Sequence, residues 1–311
     1  MRRFTRAVDS FTLMSSAELP QGIVLTGLAD EAGDAIETQI KAHLDLGWKS
    51  IELRMVNRRM VSVDLGDAEF NHALAQIDHA GFKVEAVASA IGNWSRPIDG
   101  DFSHDVQELE WVAPRMKRLG TKFLRTMSWM RGTATDQAWR DEAIRRYRVL
   151  ARLAEQADVV LLHENCAGWG GQSAEHMREL IDAVGSPHVG VLFDIGNTIS
   201  HGYEPWSYYE GVRDLIRYVH VKDCRRNPAG GRSADYAIAG EGHAMVREIV
   251  ADLLKTGYRG TISIEPHIAA VIHHGAANAD PEQRYRAYLG YARRLVEIVS
   301  TAGHRPAAVN A

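Results

Sequence analysis

The chain has little of what a secreted, membrane or nucleic-acid-binding protein needs. Its 311 residues hold two cysteines, Cys166 and Cys224, too few for a disulfide framework and suited to a reducing compartment. No stretch approaches the roughly 18 consecutive apolar residues of a membrane helix. Positive charge is not in excess: 36 Lys and Arg stand against 40 Asp and Glu, so the basic footprint of a nucleic-acid binder is missing. No G-x-G-x-x-G follows the first strand-like run, which removes the usual sign of a dinucleotide site. The N-terminus, MRRFTRAVDSFTLMSSAELPQG, opens with paired arginines but lacks the continuous apolar region of a secretion signal, because Asp9 and Glu18 interrupt it. From these absences we expect a cytoplasmic protein, with residues 1–21 a poorly packed extension and 301–311 a tail.

What is present is a pattern that recurs eight times from residue 22 onward. A short β-branched or aliphatic run ends in polar residues, and an amphipathic helical stretch follows. The strand-like runs are IVLTGLADE, SIELRMV, KVEAVASA, KFLRTMSW, VVLLHEN, VGVLFDIGN, YVHVKD and TISIEPH. Gly47, Gly81, Gly120 and Gly257 fall where helices should end in a left-handed cap. Strands alternating with helices imply parallel pairing through right-handed crossovers. Eight such units predict an α/β fold, a single (β/α)₈ TIM barrel over residues 22–300, rather than an open doubly wound sheet.

In such a barrel the functional groups stand where strands end and the following loops begin. The last four strands deliver Glu164, Asp194, His220 and Glu265 to those positions, at spacings of 30, 26 and 45 residues. Singly, each reads as a salt-bridge or structural residue. Together, three carboxylates at one mouth repel strongly, and a divalent cation removes the conflict. Three carboxylates and one imidazole suit Mn²⁺ first, then Mg²⁺ or Co²⁺, while Zn²⁺ is less selected by an oxygen-rich set without cysteine.

The motifs HEN, FDIGN, HVKD and IEPH, in this order on strands five to eight, resemble the xylose isomerase-like barrel superfamily, and most of all its sugar-phosphate isomerase/epimerase type. The resemblance implies that Glu164, Asp194, His220 and Glu265 hold one divalent metal ion, with the two glutamates flanking substrate and exchanging protons with it. It also implies Glu52 and Arg226 as substrate contacts. One position departs from the pattern. Sugar epimerases of the family often carry a histidine three residues after the strand-six aspartate, where this chain has Asn197, which can hydrogen-bond a hydroxyl but carries no proton.

A cation chelating a ketone and its neighbouring hydroxyl stabilises the enolate left by loss of the α-proton. Glu164 and Glu265 are the natural acid–base pair. Side chains two apart on a strand face the same way, which adds Lys222 beside His220, and His267 beside Glu265 as a proton carrier. The same rule turns His163 away from Glu164. Glu52 and Arg54 share a face, as an ion pair or as hydroxyl ligands. Trp94, Trp129 and Trp169 follow strands three to five and are candidates to line a substrate pocket. His243, His273 and His274 lie in loops without ligand spacing.

Three activities share this site. The first is a metal-dependent isomerase or epimerase that enolises a keto-sugar. The second is a lyase on an oxidised sugar, resembling the catalytic alpha subunit of C-glycoside deglycosidases, or a dehydratase of an inosose. A remote third, an apurinic endonuclease, would need several more metal ligands and a basic face. The expected partners are a small sugar or sugar conjugate and further subunits, with no nucleic acid or membrane. The lyase resemblance adds a smaller partner subunit.

Overall fold

The computed structural model describes residues 19–228, 234–269 and 280–303; His273 and His274, and all but the ends of the N-terminal extension and the tail, lie outside them. The first four units are β1 (Val24–Gly27) with α1 (Ile36–Asp45), then β2 (Ser50–Leu53) with a short ribbon β3 (Met55–Val56) and β4 (Arg59–Met60) before α2 (Asp67–His79), then β5 (Lys83–Ala88) with α3 (Ser103–Leu119), then β6 (Phe123–Ser128) with α4 (Asp136–Gln156). Next come β7 (Val160–Gly168) with α5 (Ala174–Val184), and β8 (Val189–Asp194) with α6 (Asn197–Ser200) and α7 (Pro205–Val212). The last two are β9 (Ile216–Val221), whose loop carries β10 (Cys224–Arg226) and β11 (Ala234–Tyr236) before α8 (Val246–Lys255), and β12 (Thr261–Ile264) with α9 (Pro281–Gly303). Among the described residues no helix is long and apolar enough to cross a membrane.

Eight strands pair in the order β1-β12-β9-β8-β7-β6-β5-β2, all parallel. A single bridge between Leu28 and Glu52 joins the two end strands and nearly closes the ring. This is the α/β barrel expected from the eight repeats, and the four cap glycines all adopt positive φ, between 67° and 92°.

Side-chain parity sorts each strand into an inner and an outer face. On β7, Leu162 points inward and packs with Ala86, Leu192 and Tyr218 to plug the barrel. Its neighbours Leu161 and His163 are buried on the outer side, where the His163 ring lies 5.5 Å from that of Tyr147 on α4. Burial holds the His163 imidazole neutral, with a pKa pushed down to about 3. Leu162 and Glu164 share the inner face, so the apolar plug ends one layer below the polar mouth.

Asp223, one residue beyond Lys222, turns outward and organises the longest described loop. Its carboxylate accepts the backbone N–H groups of Cys224 at 2.8 Å, Gly240 at 2.8 Å, Gly242 at 2.9 Å and Ala244 at 3.2 Å. A Cβ at Gly242 would stand 2.1 Å from Asp223 Oδ1, so only glycine allows the approach. Replacing Asp223 with Ala strands four amide donors at once. We expect the unfolding free energy to fall by about 3 kcal/mol, because each buried donor left unmade costs on the order of 1–3 kcal/mol and some regain water. Urea unfolding of the metal-free protein measures it, and a change under about 0.5 kcal/mol would show that the loop does not depend on this carboxylate.

Candidate metal centre

The ends of β7, β8, β9 and β12 bring Glu164, Asp194, His220 and Glu265 together, with one ligand atom of each within 4.8 Å of the others. All four side chains are buried. Glu164 Oε2 and Asp194 Oδ2 make no hydrogen bond of acceptable geometry within the protein, although Lys222 Nζ stands 3.0 Å from that Asp194 oxygen, and His220 Nδ1 lies 3.5 Å from Glu265 Oε2. Buried acceptors crowded on one point with so few donors are what a cation-binding set looks like before its ion. The residues fit a divalent metal.

Each member is held from behind. Both carboxylate oxygens of Glu52 lie 3.0 Å from His220 Nε2, so that nitrogen carries the donated proton and Nδ1 is the ring atom that faces the cluster. Glu52 also accepts the Tyr218 hydroxyl at 3.0 Å and the Ser263 hydroxyl at 2.5 Å. Burial opposes charge on His220, yet the Glu52 carboxylate and hydrogen bonds to Glu265 and Glu52 push its pKa up to about 10. Asp194 is pushed upward too, by burial first and by its neighbours Glu265 and Glu164, with the Lys222 charge opposing. Such crowding of like charge is relieved by a bound cation.

Asn197 bridges the site: its Nδ2 donates to Glu164 Oε1 at 2.8 Å and its Oδ1 accepts from Lys222 Nζ at 3.2 Å. Lys222 also stands 2.9 Å from Glu265 Oε2, so its partners are Asp194 and Glu265 rather than Asp223.

Arg54, expected on the face of Glu52, pairs with other acids, and two further groups, Glu31 and Arg125, had no place in the sequence expectation. Arg54 is buried and chelated by Asp30, through Nε at 2.8 Å and Nη2 at 3.0 Å, and its Nη1 donates to Glu265 Oε1 at 2.6 Å. Glu31, in the turn after β1, accepts both the backbone N–H of His267 and its Nδ1, each at 2.8 Å. This fixes a residue whose φ is 55° and leaves His267 Nε2 3.6 Å from Glu265 Oε1. Arg125 on β6 donates to the Ser89 carbonyl at 3.1 Å and lies 3.5 Å from Glu164 Oε2. Glu31, Glu265 and His267 form a second group of metal-competent atoms, but Arg54, 3.3 Å from Glu31, already supplies its cation. The only sequence signal for Asp30 and Glu31 was their position at the end of the first strand-like run.

Other expected contacts lie elsewhere. Glu52 is completely buried behind His220, and Arg54 pairs with other acids, so in this structure Glu52 supports the imidazole. Trp129 is fully buried, donating to Asp105 at 2.8 Å and packed on Phe102 and Tyr147. Trp169 is buried and stacked on His176 with ring centroids 4.6 Å apart. Both tryptophans pack loops instead of lining a pocket, whereas Trp94 is 39% exposed. Arg226 is on the surface, 2.6 Å from Glu204.

The family model for the xylose isomerase-like TIM barrel matches residues 40–301. The chain belongs to that family. Among curated relatives of this barrel family, the inosose dehydratase of Lacticaseibacillus casei is 24% identical over 143 residues, 42% of this chain and 48% of that protein. The probable endonuclease 4 of Mesomycoplasma hyopneumoniae is 27% identical over 183 residues, 54% of this chain and 64% of its own length. The chain thus spans about half to two thirds of the curated relatives it matches. Among solved xylose isomerase-like barrels, the IOLI protein with a bound zinc atom superposes with a TM-score of 0.72 at 15% identity, covering 89% of this chain and 98% of that one. The 3-keto-D-glucoside 4-epimerase YcjR of E. coli gives 0.64 at 17%, covering 88% and 99%. At these identities the structural likeness shows the barrel. The curated relatives are enzymes by name, which supports an enzyme here.

Two outcomes follow for the cation. Glu52→Gln keeps the shape behind His220 but removes the charge, so we expect divalent-metal affinity to fall about 10–100-fold in a chelator competition. Unchanged affinity would take Glu52 out of the site's support. Binding must also displace the proton at His220 Nδ1, whose pKa is about 10 in the metal-free protein. Affinity should therefore rise by about one log unit per pH unit over roughly pH 6–9, and a flat profile would remove His220 from the ligand set. The sign for stability is opposite. The raised pKa stabilises the metal-free fold fully below the ordinary value of 6.5, and this contribution is lost as pH rises through about 10.

Proposed function

We propose that the protein is a divalent-metal-dependent enzyme of the sugar isomerase/epimerase type, which enolises a keto-sugar by removing a proton next to its carbonyl. The observation that carries this reading is the unequal treatment of its two rim glutamates. Glu265 receives Arg54 at 2.6 Å and Lys222 at 2.9 Å, two positively charged donors that occupy both of its oxygens. Glu164 receives a neutral amide, Asn197 at 2.8 Å, and meets Arg125 only at 3.5 Å. The sequence treats them as a symmetrical pair; the geometry supports Glu164 as the proton-abstracting group and Glu265 as a ligand.

A divalent ion held by Glu164, Asp194, His220 and Glu265 would polarise a substrate carbonyl and stabilise the charge that follows proton loss. The oxygen-rich set suits Mn²⁺, with Mg²⁺, Co²⁺ and Zn²⁺ as alternatives, and the zinc-bound IOLI neighbour supports a divalent ion without choosing among them. Glu164 takes the α-proton. His267, fixed by Glu31, faces the same cluster and returns a proton to the neighbouring carbon or oxygen. Lys222, held by Asn197, supplies a positive charge to the oxygen on which negative charge develops. Asn197 thus serves by placing Glu164 and Lys222, where a proton carrier stands in many sugar epimerases of the family.

Elimination from the same enolate is the second reading. The match to inosose dehydratases favours it, and Trp94, 39% exposed, would offer an aromatic face to a flat group on the substrate, as a C-glycoside lyase would need. In that branch a smaller partner subunit belongs to the proposal.

The test is proton NMR in D₂O with the Mn²⁺-loaded protein and a panel of ketohexoses, an inosose and a 3-oxo-C-glucoside. We expect deuterium at the α-carbon of at least one ketone and a loss of about 10²–10⁴-fold in Glu164→Gln. Isomer or epimer formation supports the first reading, whereas loss of water or of an aglycone moves the assignment to the second. No exchange on any ketone, or full activity in both Glu164→Gln and Asp194→Asn, would overturn the enolisation reading.

A further inference from the structure

The loop after β9 carries one aromatic residue that neither the metal centre nor the acid–base pair accounts for. β10 and β11 form an antiparallel ribbon in which Cys224 stands opposite Tyr236. The base of this ribbon is fixed from both sides. Asp223 gathers Cys224 N–H on one side and Gly240, Gly242 and Ala244 N–H on the other, while its carbonyl accepts Ala237 N–H at 2.8 Å. Cys224 Sγ donates to the carbonyl of Gly196, in the turn that follows Asp194, at 3.4 Å. Tyr236 is therefore held against the strand that bears His220 and against the turn after Asp194.

Its side chain is half-buried, and its ring meets the edge of His267 at a centroid distance of 4.9 Å with 86° between planes. The phenol is raised above the ordinary range, by burial first, with Lys222 opposing and Glu265 and Asp194 adding to the shift. A phenol carried on a hydrogen-bonded ribbon, half-buried with its ring on the imidazole of His267, stands beside the proposed proton carrier and can both donate and accept a hydrogen bond.

We propose that Tyr236 is a catalytic residue that donates its phenolic proton to the oxygen leaving from the carbon β to the substrate carbonyl. The proposal rests on the enolisation reading in its elimination branch and deepens it, because it assigns the step after proton removal. The α C–H bond breaks and its proton goes to Glu164. The electron pair forms the new carbon–carbon double bond as the β C–O bond breaks. The departing oxygen takes the Tyr236 proton and leaves as water or an alcohol. The phenolate regains a proton from solvent, and Glu164 releases one, so the cycle closes without an oxidant or reductant. The substrate class is a polyhydroxylated ketone with an oxygen substituent β to its carbonyl.

The test separates the two steps in one sample. Full-length Mn²⁺-loaded protein is incubated in D₂O with an inosose, and α-deuteration and loss of water are followed together. Tyr236→Phe keeps the ring edge on His267 and removes only the hydroxyl. We expect α-deuteration within about twofold of the wild type and elimination reduced about 10²–10⁴-fold. Equal elimination in both proteins, or an equal fall in both rates, would overturn the role of Tyr236. Wild-type exchange without elimination would overturn it too while leaving the enolisation reading intact, and absence of wild-type exchange would overturn both. Mn²⁺ affinity, read by electron paramagnetic resonance, should match between the two proteins; a loss in Tyr236→Phe would make the residue structural and contradict the assignment.

Discussion

Six carboxylates, those of Asp30, Glu31, Glu52, Glu164, Asp194 and Glu265, are buried at one end of the barrel, and their mutual repulsion is the constraint on which the rest of the site depends. Taking even one such charge out of water costs several kcal/mol unless it is paired. The chain answers with Arg54, Arg125 and Lys222, also buried, and with the imidazoles of His220 and His267. These partners do not fill the centre. Arg54 takes one oxygen of Glu265, Asn197 takes one oxygen of Glu164, and Glu52 takes the far nitrogen of His220. What remains is a set of inward-facing atoms, one from each of Glu164, Asp194, His220 and Glu265, close enough together to hold a divalent cation.

The same arrangement makes the centre chemically unsymmetrical. Ion pairing concentrates on the β12 side, at Glu265, and is weaker on the β7 side, at Glu164. A barrel is well suited to maintain such a difference, because the ligands stand on strands while the supporting charges arrive from neighbouring strands and turns. Side chains that meet substrate can then be changed on the loops without disturbing the ligands. The ribbon after β9 is such a loop, and Asp223 ties it down beside the motif that supplies His220 and Lys222.

The barrel and the four rim side chains were legible because both are local signals. Strand runs and helical stretches repeat at regular intervals, and Glu164, Asp194, His220 and Glu265 each occupy the end of a run. The outward turn of His163 followed from parity alone. The supports were not legible, because their partners are distant in the chain. Arg54 meets Glu265 across 211 residues, and Glu31 meets His267 across 236, the latter around the near-closure of the ring. Parity placed Glu52 and Arg54 on one face, yet whether an inward acid meets substrate or a ligand histidine depends on its height in the barrel. Trp129 and Trp169 follow strands as expected, but the loops fold back and bury them on Phe102, Tyr147 and His176. Arg226 has the right distance from His220 in sequence, and a surface partner, Glu204, in space.

The central claim is that four strand-end side chains share one divalent cation. A crystal grown with Mn²⁺, with anomalous scattering recorded at the manganese edge, tests it most directly. The account predicts one strong anomalous peak within roughly 2.0–2.6 Å of carboxylate oxygens of Glu164, Asp194 and Glu265 and of His220 Nδ1, with Glu52 still on His220 Nε2. A centre that binds no ion under these conditions, or a peak held by Glu31 and His267 with Arg54 displaced, would contradict it.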